Sequence, residues 1–275
     1  RIPRSAAIII GAGALADGIP HRDLHVTKGH SLYLDGVLVP AENLINHRSI
    51  VWNERAQLLD VFHIELDTHE VLLANGAAAE SYRDDGNAVW FRNPRCGDAA
   101  SPLPFAKIVT EGPVLERIWR RLLDRAGGPP AACWTDDPDL HLLADDSLVA
   151  VSQVKGAVHV FNVAAPTKTL HIVSRSAIPA AVGLNADQRQ LGVAVRKIVL
   201  RASGLRISIG YDAELLRDGF HDPEIRNGWR WTTGHAALPE SLLATIVGPM
   251  TVAVHVGCAL RYAEGPSAPV MQTAA

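Results

Sequence analysis

Residues 17–41 read Asp17-Gly18-Ile19-Pro20-His21-Arg22-Asp23-Leu24-His25-Val26-Thr27-Lys28-Gly29-His30-Ser31-Leu32-Tyr33-Leu34-Asp35-Gly36-Val37-Leu38-Val39-Pro40-Ala41. The apolar runs Ser31–Leu34 and Val37–Val39 flank Asp35-Gly36, a pair that readily takes the positive φ angles of a tight hairpin turn. Leu24–Val26 is a third strand, and Val26-Thr27-Lys28-Gly29-His30 closes it with a hydroxyl and an imidazole three residues apart. At a strand-to-turn junction Thr27 and His30 can converge on one backbone amide. The imidazole can then protonate a departing amide nitrogen while the hydroxyl holds the amide in a distorted geometry. This spacing is also common on plain surfaces, so its neighbours decide what it means.

The same texture extends outward from Ala6 to about Phe91. Ala6–Ile10, Val61–Leu66 and Val71–Ala74 are further short strands, Asn75-Gly76 is a second hairpin signal, and only Ala41–Ile45 and Asn53–Leu58 have a helical pattern. Ile8-Ile9-Ile10-Gly11-Ala12-Gly13-Ala14-Leu15-Ala16 imitates a dinucleotide-binding turn. That turn requires a helix directly after it, because the pyrophosphate sits on the helix N-terminus. Gly18 and Pro20 leave no room for one, so a Gly-rich hairpin is expected and no cofactor is assigned. In His63-Ile64-Glu65-Leu66-Asp67-Thr68-His69 a strand would place His63, Glu65, Asp67 and His69 on one face. Residues two apart lie nearly 7 Å apart along a strand, so one ion could use two of them at most. A solvated polar face is the simpler reading, and no metal site is assigned.

The chain has 275 residues, 48% hydrophobic and 20% charged, with 26 basic against 29 acidic side chains and a formal net charge of −3. This composition builds a packed core, excludes intrinsic disorder, and fits one large or two small domains. The balanced charge gives no overall signature of nucleic-acid binding, and no apolar stretch is long enough for a membrane span. Cys96, Cys133 and Cys258 are widely separated without a CxxC pair, which suits free or buried thiols and leaves the redox compartment open. The chain opens Arg1-Ile2-Pro3-Arg4 without methionine or signal peptide, so it is expected to be a fragment of a longer polypeptide.

Asn93-Pro94, Gly97-Asp98, Ser101-Pro102 and Pro104 have linker character. Pro113 then opens a helix whose stripe is Leu115, Ile118, Trp119, Leu122 and Leu123, ended by Gly127-Gly128-Pro129-Pro130. Beyond it Leu140–Leu143, Leu148–Val151, Val158–Val163, Leu170–Val173, Val193–Leu200 and Thr251–Val256 are strand-like, with turns spaced as a sandwich needs. Gly228-Trp229-Arg230-Trp231 offers a candidate ligand face: two indoles flanking an Arg can stack on sugar rings or hold a cation–π sandwich, though Trp231 as core and Trp229 as its edge is the simpler reading. Arg175 and Arg196-Lys197 could mark an anion site, but alternation with Val193, Val195 and Ile198 reads as the solvated face of strands.

Residues 17–41, together with Val61-Phe62-His63-Ile64-Glu65-Leu66-Asp67-Thr68-His69-Glu70-Val71-Leu72-Leu73-Ala74-Asn75-Gly76 and Ala77-Ala78-Ala79-Glu80-Ser81-Tyr82, resemble the middle of a bacterial Hint (hedgehog/intein) domain. The resemblance covers about a third of the chain. It implies an all-β horseshoe that cleaves its own backbone. A Cys or Ser at the head of the domain attacks the preceding carbonyl, and the resulting thioester or ester is resolved by water or another nucleophile. Thr27 and His30 match the amide-activating pair, His69 matches the histidine of the late strand motif, and Ser81 falls where hedgehog-type domains carry a late cysteine. The nucleophile block belongs before residue 6, so the stretch from Arg1 on its own is expected not to perform the first acyl shift. Glu80-Ser81 replaces the His-Asn pair that ends inteins, which implies cleavage rather than splicing. The catalytic candidates are thus Thr27, His30, His69 and Ser81, and the substrate is the chain's own N-terminal flank.

The expected fold is mainly β: a Hint-type horseshoe without its nucleophile block over 1–91, a linker and helix over 92–138, a β-sandwich-like accessory domain over 139–262, and a tail over 263–275. The rival expectation is a catalytically silent Hint fold whose second domain recognises a glycan or protein partner. Neither nucleic acid nor a membrane is an expected partner, and a secreted or cell-surface bacterial location is favoured.

Overall fold

The structure is a computed structural model and describes residues 2–3, 7–53, 58–59, 62–83, 103–164 and 166–264. The expectations for residues 54–57, for the linker signals up to Pro102, for Cys96 and for the tail beyond Glu264 lie outside these residues. The chain is mainly antiparallel β and divides into two compact units, residues 1–130 with 179–188, and residues 131–178 with 189–275. No helix among the described residues is long and apolar enough to cross a membrane.

In the first unit the strands are β1 (Ile2–Pro3), β2 (Ala7–Ile10), β3 (Leu24–Thr27), β4 (Ser31–Leu34), β5 (Val37–Pro40), β6 (Ile50–Trp52), β7 (Leu58–Leu59), β8 (Val71–Ala74) and β9 (Ala77–Glu80). They pair as β3-β2-β6, β5-β4-β9-β8 and β1-β7, all antiparallel. Both hairpin signals take the expected conformation: φ is 50° and 83° at Asp35-Gly36, and 50° and 85° at Asn75-Gly76. A Cβ on Gly76 would also lie 2.7 Å from the His21 ring. After β2 the chain turns back through Gly11 and Gly13 into β3 with no helix, so no dinucleotide-binding turn forms. Val61–Leu66 does not form the expected strand: residues 62–64 are irregular, and a single bridge pairs Glu65 with Tyr82. β6 and β9 were not expected, because β6 is very short and Ala77-Ala78-Ala79 carries no β-branched or aromatic signature.

Helix α1 (Pro113–Arg125) starts with Pro113 in its first turn and ends in a Schellman-type cap. Gly127 sits at φ 92°, and the Gly128 N–H donates to the Leu123 carbonyl at 2.9 Å. The expected stripe is the buried one, with Leu115, Ile118, Trp119, Leu122 and Leu123 at most 3% exposed. The Trp119 indole N–H donates to the Ile45 carbonyl at 2.9 Å, just beyond the 3-10 turn Ala41–Leu44. The polar side of α1 binds a segment distant in sequence. Arg120 donates to the carbonyls of Gly183 and Leu184, Glu116 accepts the Ala186 N–H, and Gln188 donates to the Ile45 carbonyl at 2.7 Å.

The second unit contains β10 (Trp134–Thr135), β11 (His141–Ala144), β12 (Ser147–Val149), β13 (Gln153–Lys155), β14 (Val158–Val163), β15 (Leu170–Val173), β16 (Val193–Ala202), β17 (Leu205–Gly210), β18 (Arg230–Trp231), β19 (His235–Ala237), α2 (Glu240–Leu243), β20 (Met250–Ala259) and β21 (Tyr262–Ala263). One sheet runs β12-β11-β15-β19. The other runs β13-β14-β20-β16-β17 with β18 added beside β16, and β10 pairs with β21. Leu142, Leu170 and Ile172 of the first sheet and Phe161, Ile198, Leu200, Val252 and Val254 of the second supply one core. Cys133 and Cys258 are free thiols.

Replacing Trp119 by Ala removes a fully buried ring and orphans the Ile45 carbonyl of one donor, so a loss of about 3–5 kcal/mol is expected. Urea unfolding of the purified chain measures it.

Candidate functional site

β3 ends at Thr27, and a tight turn returns the chain into β4 at Ser31. The His30 N–H donates to the Thr27 carbonyl at 3.1 Å, and the His30 carbonyl accepts the Ala41 N–H at 3.0 Å. The Thr27–His30 element is therefore fixed from both sides, with the two side chains half-buried. β9 pairs with β4 through Leu32 and Ala79, which carries Glu80 to the start of β4. There Glu80 Oε1 accepts the Ser31 N–H at 2.6 Å.

The second Glu80 oxygen lies 3.3 Å from His69 Nε2, whose side chain is fully buried. That contact is an electrostatic one without hydrogen-bond alignment, for Nε2 has no hydrogen-bond partner. The Phe105 N–H donates to His69 Nδ1 at 3.2 Å, so Nδ1 is the acceptor and the neutral ring carries its proton on Nε2, toward the carboxylate. The Phe105 ring packs 5.3 Å from both His69 and Tyr33. Phe105 is held there because Ile108 bridges to Leu38 in parallel: the Leu38 N–H donates to the Lys107 carbonyl at 2.9 Å and the Leu38 carbonyl accepts the Val109 N–H at 2.8 Å.

His30 completes the cluster. Burial pushes its titration below the ordinary imidazole value, the Glu80 charge opposes that shift, and His69 adds to it. The His63 ring stands edge-on to His30 at 6.1 Å and to Tyr82 at 5.2 Å. The site can present a protonatable imidazole, His30, with a carboxylate to stabilise its cation and a second imidazole fixed in one tautomer.

Of the four candidates, the structure brings His30 and His69 together around Glu80 and sets Thr27 at the head of the same turn. Ser81 is directed elsewhere. It is fully buried, its Oγ accepts the Glu70 N–H at 2.9 Å, and its own N–H donates to the Glu70 carbonyl at 2.8 Å, extending the β8–β9 ladder. Sequence reasoning missed Glu80 and Phe105 as members of the cluster. Glu80 could have been found from period two, because it points opposite to the buried Ala79 and Ser81. Among the described residues no group of three or more His, Cys, Asp or Glu side chains is arranged to hold a metal ion.

The Trp229–Trp231 segment does not form a continuous ligand face. Arg230 is 7% exposed and donates to the Ala213 and Leu216 carbonyls at 3.0 and 2.6 Å, and Trp231 is 6% exposed against Leu191 and Ala194. Only Trp229 is accessible. Its indole N–H donates to Glu224 at 3.0 Å, and the guanidinium over its ring, 5.0 Å from the centroid, belongs to Arg196 rather than Arg230. Burial alone would raise the Glu224 carboxyl, but hydrogen bonds from Asn227, Arg189 and Trp229 outweigh it and hold the group below its ordinary range.

The family model of the Hint domain matches residues 1–86. No curated protein and no solved structure matches the chain.

Two expectations follow from the cluster. Glu80→Gln removes the charge that favours protonated His30, so the His30 titration midpoint, read by imidazole NMR, moves further down. In the wild-type fold the depressed His30 midpoint contributes stability that is present above the unfolded imidazole value of about 6.5 and lost as pH falls through the folded one. His159, His235 and His255 are shifted the same way. The urea midpoint should therefore fall between about pH 7 and pH 5, and His30→Gln should reduce that slope without abolishing it.

Proposed function

This is a Hint-domain protein through residues 1–86, and from that premise we propose that the domain cleaves its own backbone at its N-terminal junction. The attacking group is the Cys or Ser that opens a domain of this family. Its sulfur or oxygen adds to the carbonyl carbon of the preceding residue as its S–H or O–H bond breaks and the proton passes to solvent. The C–N bond breaks, the nitrogen leaves as a free α-amine after taking a proton from His30, and the acyl group stays on the side chain as a thioester or ester. Water or another nucleophile then breaks that bond and releases the N-terminal flank, which is the substrate.

The observation that carries this reading is the Glu80 carboxylate, held by the Ser31 N–H at 2.6 Å and set against the buried His69 ring beside His30. A general acid inside a protein needs a group that keeps its cation accessible against desolvation. Glu80 supplies that charge, and in this reading the Thr27 hydroxyl holds the strained amide. In this reading His69 is a positioning residue that fixes Glu80, and Ser81 has a structural part at the mouth of the β8–β9 hairpin. Splicing is not proposed, because Glu80-Ser81 stands where an intein ends in His-Asn.

The second unit, two antiparallel sheets around one core, is proposed as a sandwich-like accessory domain. Residues 139–262 as a recognition module on a silent Hint fold is the competing reading.

The full-length gene product carrying an N-terminal tag separates the two when its intact mass is followed for hours with and without dithiothreitol or hydroxylamine. Self-cleavage predicts loss of the N-terminal piece, accelerated by either reagent and slowed about 10²–10⁴-fold by His30→Ala. Glu80→Gln should move the decline of the rate at high pH to lower pH. A mass that never changes overturns the proposal and favours the silent fold.

A further inference from the structure

The balanced net charge conceals a strongly one-sided surface on the larger sheet of the second unit. No Asp or Glu occurs anywhere in β13, β14, β16, β17 or β20. The faces of this sheet separate by period two. Phe161, Ile198, Leu200, Ile209, Val252 and Val254 enter the core, while Lys197, Arg201, Arg206 and His255 lie on the opposite face.

The register arranges these cations in two rows. Lys197 stands opposite His255, whose other neighbour Val158 is paired with Lys155 at the sheet edge. Arg201 stands opposite both Arg206 and Thr251. Lys197 and Arg201 are four residues apart on one strand, so the rows lie roughly 13 Å apart. Lys155, Lys197, Arg201 and Arg206 are all exposed, and none has an ion pair or a side-chain hydrogen bond among the described residues. Lys197 and Arg201 are close enough to His255 to disfavour its protonation.

Directly opposed like charges such as Arg201 and Arg206 cost stability, and a carboxylate at a neighbouring position would relieve that cost. The five strands carry none; the carboxylate of Asp212 lies over Gly210, beside Lys197, at the other row. Local rules broken without compensation within the fold commonly mark a site completed by a ligand. Asn162, Ser208, Thr251 and Gln153 share this face and supply neutral donors and acceptors between the cations. Asn162, Arg201, Arg206 and Thr251 also line a shallow groove at one end of it.

We propose that this sheet face binds an acidic polysaccharide, with Arg201 and Arg206 gripping one carboxylate-bearing sugar and Lys197 and Lys155 another further along the chain. Spaced cations interleaved with amide and hydroxyl groups match a polymer that alternates carboxylates with sugar hydroxyls, and the Arg fork fits a carboxylate in two-point fashion. The observations favour it over single-stranded nucleic acid, since Phe161, the one Phe, Tyr or Trp in these five strands, is in the core, and the accessible indole beside the face, Trp229 over Gly257, already carries the Arg196 guanidinium on its ring. They favour it over a lipid surface, which is gripped by large inserted apolar side chains, whereas the apolar residues of this face, Val158, Val160, Val199 and Ala253, are small and none is exposed. The proposal does not rest on backbone cleavage and stands or falls separately.

Isothermal titration of the purified chain with polygalacturonate, at low salt and at about 0.15 M NaCl, tests it. Binding is expected at low salt, weaker at the higher salt, and weaker by about tenfold or more in the Arg201→Ser, Arg206→Ser double variant. The thermal midpoint of that variant should be unchanged or raised, because a like-charge pair has been removed. If that variant does not fold, Lys155→Ser with Lys197→Ser on the other row gives the same reading. Absence of binding, equal affinity in a folded variant, equal binding of neutral dextran, or tighter binding of poly-uridylate or of phosphatidylglycerol vesicles each overturns the proposal.

Discussion

The hydrogen bond from the Ser31 amide to the Glu80 carboxylate, 2.6 Å long, joins the two halves of the candidate site. Ser31 begins β4 directly after the turn that presents Thr27 and His30, and Glu80 ends β9. A carboxylate taken partly out of water must be met by donors or by positive charge. The Ser31 N–H meets one oxygen and the His69 ring faces the other. The requirement to satisfy one charge therefore fixes the relative position of both histidines, and the ladder between Leu32 and Ala79 keeps the strands in the register that makes it possible.

The same logic explains why residues outside the β motifs matter to the site. His69 is buried because Phe105 covers it and occupies its Nδ1, and Phe105 is there because the chain runs back along β5 before entering α1. α1 then seals the core of the first unit with Trp119 and ties down residues 179–188 through Glu116 and Arg120. Composition gives Phe105 the look of linker sequence, beside Pro102 and Pro104. Packing makes it part of the wall of the site.

In the second unit the balance of charges misleads when read over the whole chain. The 29 acidic residues nearly cancel the 26 basic ones, yet none of the strands described in the second unit carries an acid. Arg196-Lys197 looked like an ordinary solvated strand segment. At the bulge around Val195 and Lys197 both are exposed: Arg196 covers the Trp229 ring beside Gly257, and Lys197 joins the cationic face.

What the sequence by itself determined is local. Asp35-Gly36 and Asn75-Gly76 demanded positive φ angles and became hairpins, the stripe from Leu115 to Leu123 became the buried side of a helix, and the three-residue spacing of Thr27 and His30 survived because it lies within one turn. The mainly β class followed from these signals. What only the tertiary structure decided is which side chains meet across sequence distance. Glu80 against His69 and Ser31, Phe105 against His69, Arg196 over Trp229 and the burial of Arg230 and Trp231 depend on strand register and on the return of remote segments. Short-range dihedral and periodicity preferences carry no information about such pairings, which are set by satisfying buried charge and filling the core after the chain has closed.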